Sequence, residues 1–321
     1  MIQAPSGESC PACNSRQYRQ LFRGSDRLYH TTDKPFDVVE CQGCRLIRLY
    51  PWPTPAELAE FYPDTYWFKP DVSAALTAEE FYRRVVLRDH VRFVRRAMQG
   101  VKDRGPILDV GCGGGLFGRM LGEAGFRSIG LDFSYKAAAV AWRQNHLPTV
   151  CALLSTAPFR RGSCAGVTMF HVLEHLYDPA SYLQAAHELL IPEGRMVLQV
   201  PNSASWQALL FGDKWNGLDI PRHLVDFRTS DMDRLLEHCG FEVVRHKYFS
   251  LRDNPAGFAS SIAPSLDPMA RRVRRMRERA GGRIVRDLAY FSLVVAAIPF
   301  TILEAACSAG STVMIEARKK Q

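Results

Sequence analysis

Two short segments hold side chains able to move protons or bind a metal. Phe170-His-Val-Leu-Glu-His-Leu176 sets His171, Glu174 and His175 at i, i+3 and i+4. Pro221-Arg-His-Leu-Val-Asp226 adds His223. If residues 171–176 open a helical turn, the first three project the same way. A histidine suits removal of a proton from a hydroxyl, because its unperturbed pKa lies near neutrality, and His175 or His223 is the candidate base. The same histidines with Glu174 can instead ligate a divalent cation. A plainer alternative leaves His171 touching a bound ligand and Glu174–His175 capping local structure.

A second group is metal-spaced. Cys10-Pro-Ala-Cys13 and Cys41-Gln-Gly-Cys44 are two C-x-x-C knuckles 27 residues apart. Each knuckle offers two thiolates on one tight turn, and four complete a tetrahedron around zinc. A redox motif would need one such pair at a helix start. Cys10, Cys13, Cys41 and Cys44 therefore predict a structural zinc ribbon over residues 1–50, with no chemistry of its own. Five other cysteines (Cys112, Cys151, Cys164, Cys239, Cys307) read as small buried hydrophobes in a reducing compartment.

The third group binds. In Ile107-Leu-Asp-Val-Gly-Cys-Gly-Gly-Gly-Leu-Phe117 an apolar strand ends in Asp109 and a glycine loop leads into a helix. Ile129-Gly-Leu-Asp132 closes the next strand on another acid. Glycine lets backbone approach a ligand, and Asp132 can accept hydrogen bonds from ribose hydroxyls. Gly113, Gly115 and Gly118 also fit a dinucleotide fingerprint. Asp109 decides against that, since a carboxylate repels a pyrophosphate. S-adenosylmethionine has no phosphate and carries an ammonium and a sulfonium, which a carboxylate attracts. The cofactor contacts expected are Asp109, Gly111, Cys112, Gly113, Gly115, Asp132, Phe133 and His171.

Asp109-Val-Gly-Cys-Gly-Gly-Gly115 and Leu131-Asp132 resemble the first two motifs of the class I S-adenosylmethionine-dependent methyltransferases. Phe170 to Leu176 with Asp178-Pro179 is similar to the segment after strand four in the branch that includes ubiquinone-pathway O-methyltransferases. The resemblance runs from about Glu79 to the C-terminus. It implies an α/β fold: a doubly wound, seven-stranded Rossmann-like sheet whose last strand inserts antiparallel. It also implies O-methylation of a small or lipid-linked acceptor. Small-RNA 2′-O-methyltransferases show a similar cluster that binds a divalent ion, but with an acid where this chain has His171. Two departures stand out. Cys151-Ala-Leu-Leu-Ser-Thr-Ala157 lacks the acid that many relatives place near adenine, and Ala165-Gly166 replaces their Phe-Asp.

These residues need positioning elements. Helix 79–99 should carry Phe81, Val85, Val91, Val94 and Met98 on one face. Strands are expected at 107–110, 128–132, 149–153, 166–170, 195–200, 241–249 and 312–317. Helices are expected at 116–124, 134–145, 178–190 and 230–239. Residues 51–78, rich in proline and aromatics, form a linker packed on the main domain of 79–321, or a lid in which Tyr66 and Trp67 cover the methyl donor.

An α-helical insertion at 251–310 precedes the last strand. It holds eight arginines against one glutamate in residues 271–286, then sixteen uncharged residues from Leu288 to Leu303. A spanning helix needs about 20 apolar residues, and Pro299 interrupts this run. Residues 271–306 thus suit peripheral attachment to a membrane, or burial against the domain or a second chain. Net charge is +8, and no basic leader precedes an apolar stretch, which argues for a cytoplasmic protein, at most peripheral at the inner face of a membrane. RNA or a sugar nucleotide is the alternative acceptor, although the basic run lacks interleaved aromatics. A non-catalytic binding protein on the same fold is the third alternative.

Overall fold

A computed structural model describes residues 9–63, 74–274, 276 and 280–320. Strands β1 (Tyr18–Gly24), β2 (Phe36–Cys41) and β3 (Ile47–Tyr50) form an antiparallel meander. Helix α1 (Pro55–Glu60) follows, started by a Thr54–Glu57 capping box. Tyr66 and Trp67, expected as a lid, lie outside the described residues.

The main domain begins with α2 (Ala74–Ala97) and alternates strand and helix: β4 (Ile107–Val110), α3 (Leu116–Glu123), β5 (Ser128–Asp132), α4 (Tyr135–Asn145) and β6 (Thr149–Cys151). It continues through β7 (Cys164–Phe170), α5 (Pro179–Leu189), β8 (Leu190–Pro201), α6 (Trp206–Phe211), β9 (Val225–Asp226), α7 (Thr229–His238) and β10 (Phe241–Lys247). The insertion contributes α8 (Asn254–Ile262), α9 (Pro268–Val273) and α10 (Ala280–Ala306), and β11 (Thr312–Lys319) ends the fold.

The large sheet has the order β10-β11-β8-β7-β4-β5-β6. Strands β4 to β8 pair in parallel, and β11 enters antiparallel between β8 and β10. Its central strands are buried on both faces because helices cover each side. Alternate residues separate into two cores. Leu108, Val110, Val167, Met169 and Leu198 join one, and Ile107, Ala165 and Val197 join the other with Val94 of α2 and Met98 just past its end. The strand order reverses between β7 and β4, so the chain leaves these two strands toward opposite faces of the sheet and a crevice forms at the carboxyl edge.

Two expectations change. Strand β8 starts at Leu190, directly after α5, rather than at 195. Its pairing jumps from Cys164↔Leu190 to Gly166↔Arg195, so Ile191-Pro192-Glu193-Gly194 forms a bulge inside the strand. Cys151 and Cys307 are exposed, not buried, because they lie at the end of β6, a strand at the sheet's edge, and just past the end of α10. Strand β9, not anticipated from the sequence, belongs to the small sheet: Ile47 pairs with Asp226 and Arg48 with Val225. The N-terminal meander and the main domain therefore share one ladder.

That junction is reinforced around Leu224. Its N–H donates to the carbonyl of Glu174 at 2.8 Å, and its carbonyl accepts from Leu49 N–H at 3.0 Å and Trp52 Nε1 at 3.1 Å. Beside it, the fully buried Arg222 forks onto Asp26 at 2.8 and 3.0 Å and onto Asp219 at 2.6 Å, with its guanidinium 4.5 Å from the Tyr29 ring centre. A buried guanidinium needs such pairing to offset lost hydration.

Candidate functional site

The glycine loop turns where the sequence places it. Gly111 and Gly115 have φ of +71° and +79°, values that L side chains rarely adopt. A Cβ on Gly111 would also lie 2.6 Å from Val172 Cγ2, so this glycine lets the loops after β4 and β7 approach each other. Gly115 sits at the N-terminus of α3 against Ala141 of α4.

Two acids flank the loop. Asp109 is buried at the end of β4 and accepts a 2.7 Å hydrogen bond from Thr168 Oγ1. Burial pushes its carboxyl up to about 7, against the pull of that hydroxyl. It has no ion-pair partner among the described residues. Asp132 accepts from the N–H of Gly113 at 2.9 Å and of Ser134 at 2.8 Å, and burial also raises its pKa. Phe133, next in sequence, is exposed. Cys112 packs its sulfur against Gly130, and burial pushes its thiol well up. Met98, just past the end of α2, fills the space beside Gly166, where a Cβ would come within 2.7 Å of its sulfur. A larger residue at Gly166 would require the Met98 thioether to swing aside.

The segment after β7 is a single 3₁₀ turn, Leu173–His175, preceded by His171 with φ of +55°. That left-handed residue separates the expected trio into two groups joined by Glu174. Nδ1 of His171 lies 3.0 Å from Glu174 Oε1. Its Nε2 lies 2.9 Å from Gln199 Nε2 and 3.6 Å from Asp253 Oδ1. Burial disfavours its charge, but Asp253 and Glu174 prevail and raise its pKa to about 9. Burial likewise opposes ionisation of Glu174, yet His171 brings it down to about 2.

The other group is Glu174, His175 and His223, with one ligand atom of each within 4.8 Å of the others. The two imidazole centres are 4.7 Å apart. Nδ1 of His175 faces the carbonyl of Arg222 at 3.1 Å, and Nδ1 of His223 faces that of Gly217 at 2.8 Å. A carbonyl only accepts, so each Nδ1 carries the proton and each Nε2 keeps its lone pair. Glu174 Oε2 is buried without a hydrogen-bond partner among the described residues. Burial, with His175 alongside, pulls His223 down to about 4. Tyr62, from the segment after α1, puts its hydroxyl 3.0 Å from His175 Nδ1.

Sequence reading missed Tyr62, Asp253, Gln199 and the fully buried His90, whose Nε2 lies 3.9 Å from Asp253 Oδ2. Each reaches the site from an element distant in sequence, and none sits in a recognisable spacing.

The four metal-spaced cysteines converge. Cys10 Sγ lies 3.5 Å from Cys44 Sγ, Cys13 Sγ lies 3.5 Å from Cys41 Sγ, and all four lie within 4.8 Å of one another. Burial opposes ionisation of Cys41, but the N–H groups of Cys44 and Gly43 outweigh it and bring the thiol to about 6. This set fits a closed tetrahedral zinc site. The ion would tie the turn before β1 to the turn after β2.

Comparison with known proteins agrees with this geometry. A family model described as a methyltransferase domain matches residues 79–246. A probable S-adenosylmethionine-dependent methyltransferase of Mycolicibacterium smegmatis is 30% identical over 143 residues, covering 43% of this chain and 52% of that protein. A ubiquinone biosynthesis O-methyltransferase of Pseudomonas aeruginosa is 29% identical over 150 residues, covering 43% of this chain and 64% of that protein. The chain thus spans between half and two thirds of the length of these relatives. In fold it is similar to a putative sarcosine dimethylglycine methyltransferase from Galdieria sulphuraria, with TM-score 0.50, 12% identity, and coverage of 72% of this chain and 84% of that one.

Proposed function

The chain belongs to the methyltransferase-domain family, and from that premise we propose that it moves the methyl group of S-adenosylmethionine to an oxygen of a small or lipid-linked acceptor. Asp109 carries the reading. A carboxylate buried without a cation beside a glycine loop is costly unless a cationic ligand completes it. The ammonium of S-adenosylmethionine is such a ligand, and the phosphates of a dinucleotide are not.

Methyl transfer from a sulfonium is an in-line displacement with an activated donor. The protein must align the acceptor and remove its proton. His175 is the base in this reading. Its Nε2 lone pair is free, and Glu174 stabilises the imidazolium that forms. Burial keeps His223 neutral, so it orients the acceptor hydroxyl rather than holding the proton. The oxygen attacks the methyl carbon, the carbon–sulfur bond breaks, and S-adenosylhomocysteine leaves with the electron pair on sulfur. The name of the Pseudomonas relative supports an oxygen acceptor.

The test is thermal unfolding with S-adenosylhomocysteine. At one hundred times Kd, binding stabilises by about 2.7 kcal/mol. No shift at millimolar ligand, or a larger shift with a nicotinamide dinucleotide, overturns the reading.

The unpartnered Glu174 Oε2 favours a second reading of the same groups. Metal-bound histidines commonly donate their other ring N–H to a carbonyl, as His175 and His223 do. With Glu174 they would hold a divalent cation that acidifies the acceptor hydroxyl. Two nitrogens and one oxygen suit zinc, cobalt or manganese better than magnesium. Metal analysis separates the readings. Two ions per chain, falling to one in His223→Ala, supports the cation, whereas one ion in both proteins leaves His175 as a metal-free base.

A further inference from the structure

Helix α10 has two unlike faces. Tyr290, Val294, Ala297, Thr301 and Glu304 are buried, at spacings of three and four. They fasten the helix to α8 and α6: the Tyr290 hydroxyl lies 3.0 Å from Ser260 Oγ, and Glu304 accepts from Gln207 Nε2 at 2.7 Å. The opposite stripe, Ile284, Leu288, Phe291, Val295 and Ile302, is exposed. Residues Gly281–Ala306 are long and apolar enough to cross a membrane, and 28% of their apolar window is buried against the protein. A helix bonded along one side through a buried glutamate is held in the fold, so its bare stripe is a surface.

That surface extends onto α2. The rings of Tyr82 and Phe291 meet at 5.7 Å, and Phe81 beside them is 67% exposed. Arg88, Arg92 and Arg95 follow Phe81 by seven, eleven and fourteen residues, so all share one solvent face of α2. Apolar and cationic strips therefore adjoin where the two helices touch. The junction is close to the site. Tyr82 is within electrostatic reach of Asp253, whose Oδ1 lies 3.6 Å from Nε2 of His171.

We propose that α10 and the exposed face of α2 from Phe81 to Arg95 form a docking face for an anionic lipid bilayer, with the methyl-transfer site opening at its border. The inference rests on the methyltransferase reading and narrows its acceptor to molecules held at that bilayer. A bilayer accounts for both strips: acyl chains receive Leu288, Phe291 and Val295, while anionic headgroups receive the arginines. A second copy of this chain fits less well. A two-fold contact through the same patch would oppose like-charged arginines in a chain of net charge +8.

Vesicle flotation with the full chain tests this. Vesicles of phosphatidylcholine with one third phosphatidylglycerol should carry the protein upward, and pure phosphatidylcholine should carry at least about tenfold less. Leu288→Glu/Phe291→Glu and Arg88→Glu/Arg92→Glu should each lower flotation by about tenfold or more. These positions are exposed, so stabilisation by S-adenosylhomocysteine should persist in both variants and report an intact cofactor site. Failure of the wild type to float overturns the proposal, as does undiminished flotation of either variant. So does light scattering that finds a wild-type dimer which Leu288→Glu/Phe291→Glu renders monomeric. Loss of S-adenosylhomocysteine stabilisation in the wild type is a separate result, which overturns the methyltransferase reading itself.

Discussion

The imidazole of His171 and the carboxylate of Glu174 form a 3.0 Å pair at the floor of the crevice, with Glu174 1% exposed. Through Glu174 this pair touches the His175–His223 group, and through Asp253 it touches the helical insertion. Charge at the site is set by groups from three distant parts of the chain.

Stability should follow pH through this pair. His171 is raised from 6.5 to about 9, so its contribution is complete below 6.5 and is lost as pH rises through 9. Glu174 is lowered from 4.5 to about 2, so its contribution is complete above 4.5 and is lost as pH falls toward 2. The joint maximum lies between 4.5 and 6.5. Urea unfolding should show the wild type losing stability between pH 6.5 and 9 more steeply than His171→Gln. Equal slopes would remove the ion pair from the account.

Asp109 should make cofactor affinity depend on pH. A cationic donor binds the ionised carboxylate, whose free pKa is about 7. Titration calorimetry should find S-adenosylhomocysteine affinity falling about tenfold per unit below that value. Asp109→Asn should bind about ten- to hundredfold more weakly and lose this dependence.

Gly111→Ala combines a positive φ with a 2.6 Å clash against Val172 Cγ2. Destabilisation of about 1–3 kcal/mol is expected in denaturant melts. Adding Val172→Ala should recover the part due to the clash and leave the part due to φ. If Gly111→Ala alone is silent, the loop is less constrained than its geometry implies.

Arg222→Met should cost about 3–5 kcal/mol, because Asp26 remains buried without its partner. Arg222→Lys should recover only part, since an ammonium cannot fork onto Asp26 and Asp219 together. Near-wild-type melting of Arg222→Met would show that the N-terminal meander does not depend on this contact.

The sequence displays what is local. The Asp109 to Gly115 loop, Asp132, the paired cysteine knuckles and the alternation of buried strands with helices are each written within a few dozen residues. Hydrophobic period and glycine placement suffice to read them. What stayed hidden depends on chain crossings. Asp253 reaches His171 from beyond β10, Tyr62 reaches His175 from before α2, and the two-residue β9 is too short for a periodic signal. His171 itself misleads: a helical spacing suggests one face, yet its left-handed backbone turns the ring away from His175.

Strand β9 joins Val225 and Asp226 to Arg48 and Ile47, two residues after His223. The loop bearing that imidazole is therefore hemmed by a strand far from it in sequence. Chelating an ion held by the four thiols should loosen the meander and one side of the loop that bears His223, while Leu224 stays bonded to the Glu174 carbonyl. Zinc supply would then set how firmly this loop is held from its outer side, though no atom of the metal reaches it.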